Sequence, residues 1–443
     1  MRPEARAALV DVLERVPGNP SGQHRFAREA RRLLDDARDV VAEHLGARPG
    51  EIVFTSGGTE ADNLAITGSG VATGGRPICL ATDHHAVLHP VLAAGGETVA
   101  VDRFGVVDLD DLARCLGRPD APGRPDAGRP GLGGRPEAGD RPGGAGRVDR
   151  GRDPVPTLVS MALANNEVGT IQPIDEVADA LGRLAPDAVL HLDAVAAVAW
   201  TDIARLTAPA RLISVSGHKV GGPKGIGALV VRGGTPLSAQ LLGGGQEREL
   251  RSGTPNVAGA VALAAALAAT AAERPAMVTR VTTLQARLLD GLAAAIPGLV
   301  ATGRPVDAAS SLDGAGRPAE RIASAAASAG LPNIVHVCVP GVEREALLFL
   351  LDQAGVFASA GSSCASGALE PSHVLEAMGI EPFVAEGALR LSLGWSSTPA
   401  DVDHALAVIP AAVERLRGDL HRSTAAMRDA IGAGPAPTTA VLR

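Results

Sequence analysis

Lys219 and Lys224 are the only lysines in a chain of 443 residues, and every other strongly basic side chain is arginine. Arginine stays protonated and is a poor nucleophile, whereas a lysine amine can shed its proton and condense with a carbonyl as a Schiff base. A chain this biased toward arginine keeps lysine where arginine fails, so at least one of the pair is read as chemical. Lys219 closes Ser216-Gly217-His218-Lys219, and Lys224 sits in the Gly/Pro turn that follows. A second reactive candidate is Cys364, set among the small residues of Ser359–Gly367. A thiol in an open loop can ionise and act as a nucleophile; Cys338, between Val337 and Val339, is instead placed for packing. A third feature is Ser56-Gly57-Gly58-Thr59-Glu60, between a strand pattern at Glu51–Thr55 and a helix from about Glu60. Free N–H groups and the helix dipole at such a turn favour an anion such as a phosphate.

These residues need a frame. The apolar runs Ala210–Val215 and Ile226–Val231 flank the lysine motif and predict two strands, which places Lys219 on the turn of a hairpin. Further strands are predicted at 78–82, 98–101, 157–163 and 189–192, with helical patterns between several of them, and 27–46 reads as an amphipathic helix with Leu33, Leu34, Ala37, Val41 and Leu45 on one face. That alternation predicts an α/β fold whose mostly parallel sheet is covered by helices on both faces. A smaller α+β unit is expected from about 276, with a helix at 277–295, a strand at 333–339, a helix at 343–354 and a short strand at Val356-Phe357 leading into the Cys364 loop. The expected organisation is a large domain at 12–275, a small domain at 276–420 joined by residues 1–11, and a flexible tail at 421–443. Gly-Arg-Pro repeats and a scarcity of apolar residues mark 117–154 as a disordered insertion, because so little burial cannot offset the entropy of ordering. The polar stretch 303–330 reads as a looser loop.

Composition excludes several classes. A formal charge of −8 with scattered arginines argues against a nucleic-acid surface. The N-terminus carries no apolar signal segment, and Val257–Ala272, the most apolar stretch, is short for a bilayer span and reads as a buried helix. Cys79, Cys115, Cys338 and Cys364 show neither disulfide nor metal-ligand spacing. A cytoplasmic protein with no membrane association and no metal of its own is expected.

The ordered motifs resemble the cysteine desulfurases, pyridoxal-phosphate enzymes of the class V aminotransferase-like group. The resemblance runs from about Arg2 to Thr398 and is interrupted by the insertion. It rests on Gly18–His24, Phe54–Glu60, Asp83-His84-His85-Ala86-Val87, Asn165–Thr170, His191-Leu192-Asp193-Ala194, Ser216–Lys219, Gly243–Arg248, Arg251-Ser252-Gly253-Thr254 and the Cys364 loop, taken in order. It implies the type I fold of pyridoxal-phosphate-dependent transferases, with a seven-stranded-type sheet in the large domain and a smaller C-terminal domain. It also implies roles. Lys219 would bind pyridoxal phosphate covalently and move protons at the substrate α-carbon. Asp193 would pair with the ring nitrogen, and His84 would stack on the ring and serve as acid–base. Gly58, Thr59, Ser216 and His218 would hold the phosphate. Asn166 would contact the ring oxygen or the substrate, and Arg390 would clamp the substrate carboxylate. Thr254 would reach the phosphate of a partner subunit, which implies a homodimer.

The implied reaction converts L-cysteine to L-alanine and leaves the sulfur as a persulfide on Cys364. The loop resembles the long-loop group, which serves iron–sulfur scaffolds or tRNA thiolation through a sulfur-acceptor protein; there Cys364 could become a shared iron–sulfur ligand. The alternatives are a selenocysteine lyase, another class V pyridoxal-phosphate enzyme such as an aminotransferase, or a degenerate, non-catalytic partner. Two departures bear on activity. Relatives open with a strand that would end near Met1, so the natural start is expected upstream. They also carry glutamine three residues after the aspartate, where this chain has Ala196; a lost hydrogen bond there costs about 1–3 kcal/mol.

Overall fold

The computed structural model describes residues 1–69, 75–117, 156–303, 330–361 and 372–432. Two helices open the chain, α1 (Pro3–Arg15) and α2 (Arg25–Leu45). In α2, Ala27, Ala30, Leu34, Ala37, Val41 and Leu45 recur at helical spacing and are buried as one stripe. Gly46 ends the helix at φ 62°, where a Cβ would also lie 2.7 Å from Ala204 Cβ.

A seven-stranded sheet follows. Its strands are β1 (Ile52–Thr55), β2 (Arg76–Leu80), β3 (Glu97–Val99), β4 (Pro156–Ala162), β5 (Val189–Asp193), β6 (Leu212–Ser216) and β7 (Gly227–Val231), in the spatial order β1-β7-β6-β5-β4-β2-β3. Neighbours from β6 to β3 pair in parallel, and β7 runs against both β6 and β1. The connections carry α3 (Gly58–Gly68), α4 (His85–Ala93), α5 (Leu109–Leu116), α6 (Ile174–Leu184) and α7 (Ile203–Leu206). Both sheet faces are covered, which is why the strands read as unbroken apolar runs. Leu158, Leu212 and Leu229 pack with Ala61 and Leu64 of α3 and Val87 and Val91 of α4. Val159, Met161, Leu192 and Ile213 on the opposite face pack with α2, α5 and α6. Each strand expected in this sheet is present within two residues of its predicted bounds.

The second layer is an antiparallel sheet of β8 (Val300–Ala301), β9 (Ile334–Cys338) and β10 (Ala388–Ser392), with β9 central. Helices Arg344–Gln353 and Pro399–Gly432 cover it through Leu347, Leu351, Val402 and Ile409. One helix serves both layers. α8 (Val257–Ala295) places Ala260, Leu263 and Leu267 in the first core and Val281, Leu284 and Leu288 in the second. The sequence predicts a helix that begins at 277, whereas α8 crosses that point with Pro275 inside it. The missing N–H opens one rung of the ladder, and Arg274 ties the spot down by donating to the carbonyls of Val198 and Ala199. α8 is long and apolar enough to cross a membrane by composition, but 56% of its apolar window is buried inside the fold. No strand forms at Val356-Phe357; pairing occurs instead at a single bridge between Ser359 and Arg390. The final helix continues through 421 to Gly432. Beyond Gly117, the expected insertion lies outside the described residues, as do nearly all of the 303–330 loop and residues 433–443.

Glu247, Arg248 and Glu249 take positive φ in succession, at 47°, 57° and 65°. Without glycine this costs about 1–2 kcal/mol per residue. The turn is held by Glu247, whose carboxylate accepts two N–H bonds from Arg38 at 2.7 Å and the Phe54 N–H at 3.0 Å, with the two side chains only 5% and 13% exposed. Replacing Glu247 by alanine leaves Arg38 without its ion-pair partner and the turn untethered. We expect Glu247→Ala to destabilise the protein by about 3–5 kcal/mol in urea unfolding, with Glu247→Gln between it and the parent.

Candidate active site

Parallel strands deliver their C-terminal ends to one edge, where open α/β sheets bind ligands. That edge gathers the turn after β1, Asp83-His84 after β2, Asn165-Asn166-Glu167 after β4, Asp193 at the end of β5, and Ser216–Lys219 after β6. Lys219 lies on the β6–β7 hairpin turn, as predicted from the flanking runs. The turn is tight because Gly217 donates to Ile226 O at 3.0 Å and Gly222 donates to Gly217 O at 2.8 Å. A Cβ on Gly217 would meet Ile226 Cγ2 at 2.8 Å. Lys219 is exposed into a cavity of about 290 Å³, whose walls include Asn166, Ala196, Trp200, His218 and Arg390.

Buried acids dominate the electrostatics. Asp193 is 7% exposed and accepts the Val195 N–H at 2.9 Å. Burial raises its pKa, while that N–H and the charge of Lys219 oppose the rise. Asp83 is fully buried, accepts N–H bonds from Leu80 and Ala162 at 2.8 Å, and is pushed up to about 7 by burial. Its two bonds fix the chain just before His84.

His84 caps α4, with Nδ1 accepting the Ala86 N–H at 3.1 Å. An accepting Nδ1 carries no proton, so the neutral ring holds its proton on Nε2. Burial, then Lys219, His373 and His89, keep the His84 pKa low. α3 begins at Gly58, where a Cβ would lie 2.7 Å from Val195 Cγ2 and 3.6 Å from Ser216 Cβ. Ser216 Oγ is 2.8 Å from His218 Nδ1. Gly58, Ser216 and His218 therefore form one cradle at a helix start, with Thr59 exposed beside it.

Arg390 comes from β10 in the second layer and donates across to Asn166 O at 3.0 Å. Asn165 shapes that turn by accepting the N–H groups of Glu167 and Val168. Glu167, a residue with no role in the sequence reading, is 3% exposed and accepts the Ser372 hydroxyl at 2.6 Å. A Cβ on Gly361 would lie 2.6 Å from its Oε2. Glu167 thus touches the chain on either side of 362–371, and burial raises its pKa. Cys364 lies outside the described residues. Thr254 is exposed and does not line the Lys219 cavity. Asp83, Glu167, Trp200 and Trp395 were not assigned from sequence; Asp83 and Glu167 do fall inside recognised motifs, but nothing in their type announces burial. Among the described residues no cluster of three or more His, Cys, Asp or Glu could hold a metal ion.

The profile of the Aminotransferase class-V family matches residues 2–118, 147–312 and 316–405. The chain is 37% identical over 439 residues to an IscS-like cysteine desulfurase of Mycobacterium tuberculosis, covering 94% of each chain. It is 35% identical to the cysteine desulfurase IscS of Methanosarcina thermophila, covering 94% of this chain and 90% of that one. Among solved structures, a NifS-like protein superposes with a TM-score of 0.75 at 28% identity, over 94% of this chain and 97% of the other.

The raised acids make a testable pH signature. A buried acid with an elevated pKa adds stability that is fully present below its unfolded value near 4 and is lost as pH rises through its folded value. For Asp83 that loss runs from about pH 4 and is completed as pH passes about 7, so its last part falls just above neutrality. The buried histidines act in the opposite sense and mainly below pH 6.5, so the window above it isolates the acids. Between pH 6.5 and 8, the cofactor-free protein should lose stability, and Asp83→Asn should remove about 1 kcal/mol of that loss in parallel urea titrations.

Proposed function

The chain belongs to the Aminotransferase class-V family, among its cysteine desulfurases, and from that premise we propose that it takes sulfur from L-cysteine, releases L-alanine and passes the sulfur on from Cys364. The observation that carries the reading is that Lys219 and Arg390, from two different layers, line one cavity, while Asp193 and His84 lie close enough to Lys219 for its charge to act on both. The family's cofactor is pyridoxal phosphate, and the residues present suit it. The Gly58–Ser216–His218 cradle offers donors to a phosphate. Asp193 is a buried acid opposed by little positive charge, so it favours a protonated ring nitrogen. Lys219 offers the amine that a carbonyl needs. Asn166 lines the cavity, and with Thr59, exposed beside the cradle, it would complete the holding set.

When bound, the cofactor supplies an electron sink at the substrate α-carbon. The protein's residues do the rest. The Arg390 guanidinium binds the substrate carboxylate, with its position set by the bond to Asn166 O. Lys219 moves the proton at the α-carbon. His84 offers its Nε2 proton from a ring fixed by the cap bond. The Cys364 thiolate attacks the substrate sulfur, an S–S bond forms and the C–S bond breaks. The electron pair goes to the β-carbon, which takes a proton to become the methyl group of alanine. The protein-bound persulfide then goes to an acceptor, an iron–sulfur scaffold or a tRNA-thiolation enzyme.

A homodimer fits the exposure of Thr254 and of Leu242, which is 86% exposed twelve residues before it. A cytoplasmic setting fits the three buried free thiols. The division into domains at 12–275 and 276–420 follows the two cores, with α8 shared between them. One feature favours the reading as a degenerate partner here: Ala196 lines the cavity where the resemblance implies a hydrogen-bonding glutamine.

Cys364→Ser should retain cofactor absorbance but release no sulfide from cysteine, while Cys79→Ser, Cys115→Ser and Cys338→Ser keep sulfur transfer. Parent-rate turnover by Cys364→Ser would turn the assignment to a lyase or an aminotransferase. Lys219→Ala should lose borohydride-stable attachment of the cofactor, and Lys224→Arg should keep it; labelling of Lys224 instead would reverse the two roles.

A further inference from the structure

Beside the site lies a row of buried polar side chains that the mechanism above does not use. β4, β5 and β6 are adjacent, with Ser160 paired to His191 and Asp193 paired to Ser214. Side chains two apart on a strand share a face. Ser160, His191, Asp193 and Ser214 therefore continue the face on which Leu158 and Leu212 pack against α3. His191 Nδ1 lies 2.8 Å from Ser160 Oγ, and its Nε2 lies 2.9 Å from Ser214 Oγ. Asp62 on α3 abuts this row: its Oδ1 is 3.7 Å from His191 Nε2, and Ser214 lies near enough to its carboxyl to lower its pKa. Asp62 is 2% exposed and His191 fully buried.

This row has two self-consistent hydrogen-bond polarities. With Asp62 ionised, Ser214 donates to it, His191 donates from Nε2 to Ser214, and Nδ1 accepts from Ser160. With Asp62 protonated, the acid donates to Ser214, Ser214 donates to Nε2, and His191 donates from Nδ1 to Ser160. The surroundings choose between them. Asp62 Oδ1 has no hydrogen-bond partner, and a bare anionic oxygen in a dry site is costly. Asp193 and Asp83 lie close enough for their charges to repel it. His191 offers no compensating charge, because burial pulls its pKa down to about 3. Burial first, and Asp193 second, raise Asp62 well above the ordinary carboxyl range.

We propose that Asp62 is a protonated positioning residue: it sets the polarity of the Ser214–His191–Ser160 row and leaves Asp193 as the anionic partner of the cofactor's ring nitrogen. The inference rests on the cofactor reading given above, and goes beyond it by assigning α3 a second task next to its phosphate-facing start.

One measurement needs no cofactor. The infrared difference spectrum of cofactor-free parent minus Asp62→Asn at neutral pH should show loss of a protonated-carboxyl C=O stretch; loss of carboxylate bands alone overturns the proposal. The other measurement is a cofactor titration followed by absorbance. Asp62→Asn, neutral and able to donate to Ser214, should bind within about twofold of the parent, whereas Asp62→Leu should bind about tenfold more weakly and shift the pH titration of the visible band. Equal weakening in both variants would show that the charge matters and overturn a neutral Asp62. Parent-like binding by the folded Asp62→Leu protein would show that the row does not reach the cofactor, with the same result. A parent that binds no cofactor would sink the cofactor reading, and the infrared comparison would still decide the charge of Asp62.

Discussion

An acid removed from water must either find a cation or keep its proton. Asp193 stands under that constraint, and the rest of the architecture depends on how it is met. Its strand lies between β4 and β6, both parallel to it, with β6 buried throughout and β4 buried from Leu158 onward. The carboxyl therefore emerges from a buried floor. Lys219 can approach because the neighbouring strand turns there into a hairpin. Asp83 and Asp62 crowd the same region, and burial raises the pKa of both, so the negative charge of the site is concentrated on Asp193. A site built in this way favours a ligand that is cationic in the middle and anionic at the end facing the α3 helix start.

The second layer supplies what the first lacks. The sheet edge around Lys219 presents acids, imidazoles and amides, but the guanidinium comes from β10. Arg390 crosses to the Asn166 carbonyl, and Glu167 in the same turn receives the Ser372 hydroxyl. One three-residue turn after β4 is thus held at two points by the second layer. A substrate carboxylate held by Arg390 would be placed by the geometry of that turn as much as by the arginine.

Much of this was visible in the chain as text. Strands buried on both faces appear as apolar runs, and glycine-rich turns at their ends appear as punctuation, so the order of β1, β5 and β6 and the place of Lys219 followed directly. Three things did not. Burial of a charge leaves no mark in residue type, so Asp62, Asp83 and Glu167 look like ordinary acids until the sheet is assembled around them. A proline reads as a boundary, yet α8 runs through Pro275 because packing on both sides outweighs one missing hydrogen bond. A left-handed turn without glycine gives no local signal either; Glu247–Glu249 adopt it because Arg38 and Phe54, some two hundred positions away, hold the acid.

α8 can be regarded as a beam. It is clamped in one core by Leu263 and Leu267 and in the other by Val281 and Leu288. Between the clamps its ladder has a notch at Pro275, so bending stiffness is lowest there. Thr270 and Met277, on either side of the notch, are also walls of the Lys219 cavity. Any tilt of one sheet against the other is therefore converted at that point into a change in the cavity's cross-section. The same beam that keeps the layers in register makes the cavity's width a function of the angle between them.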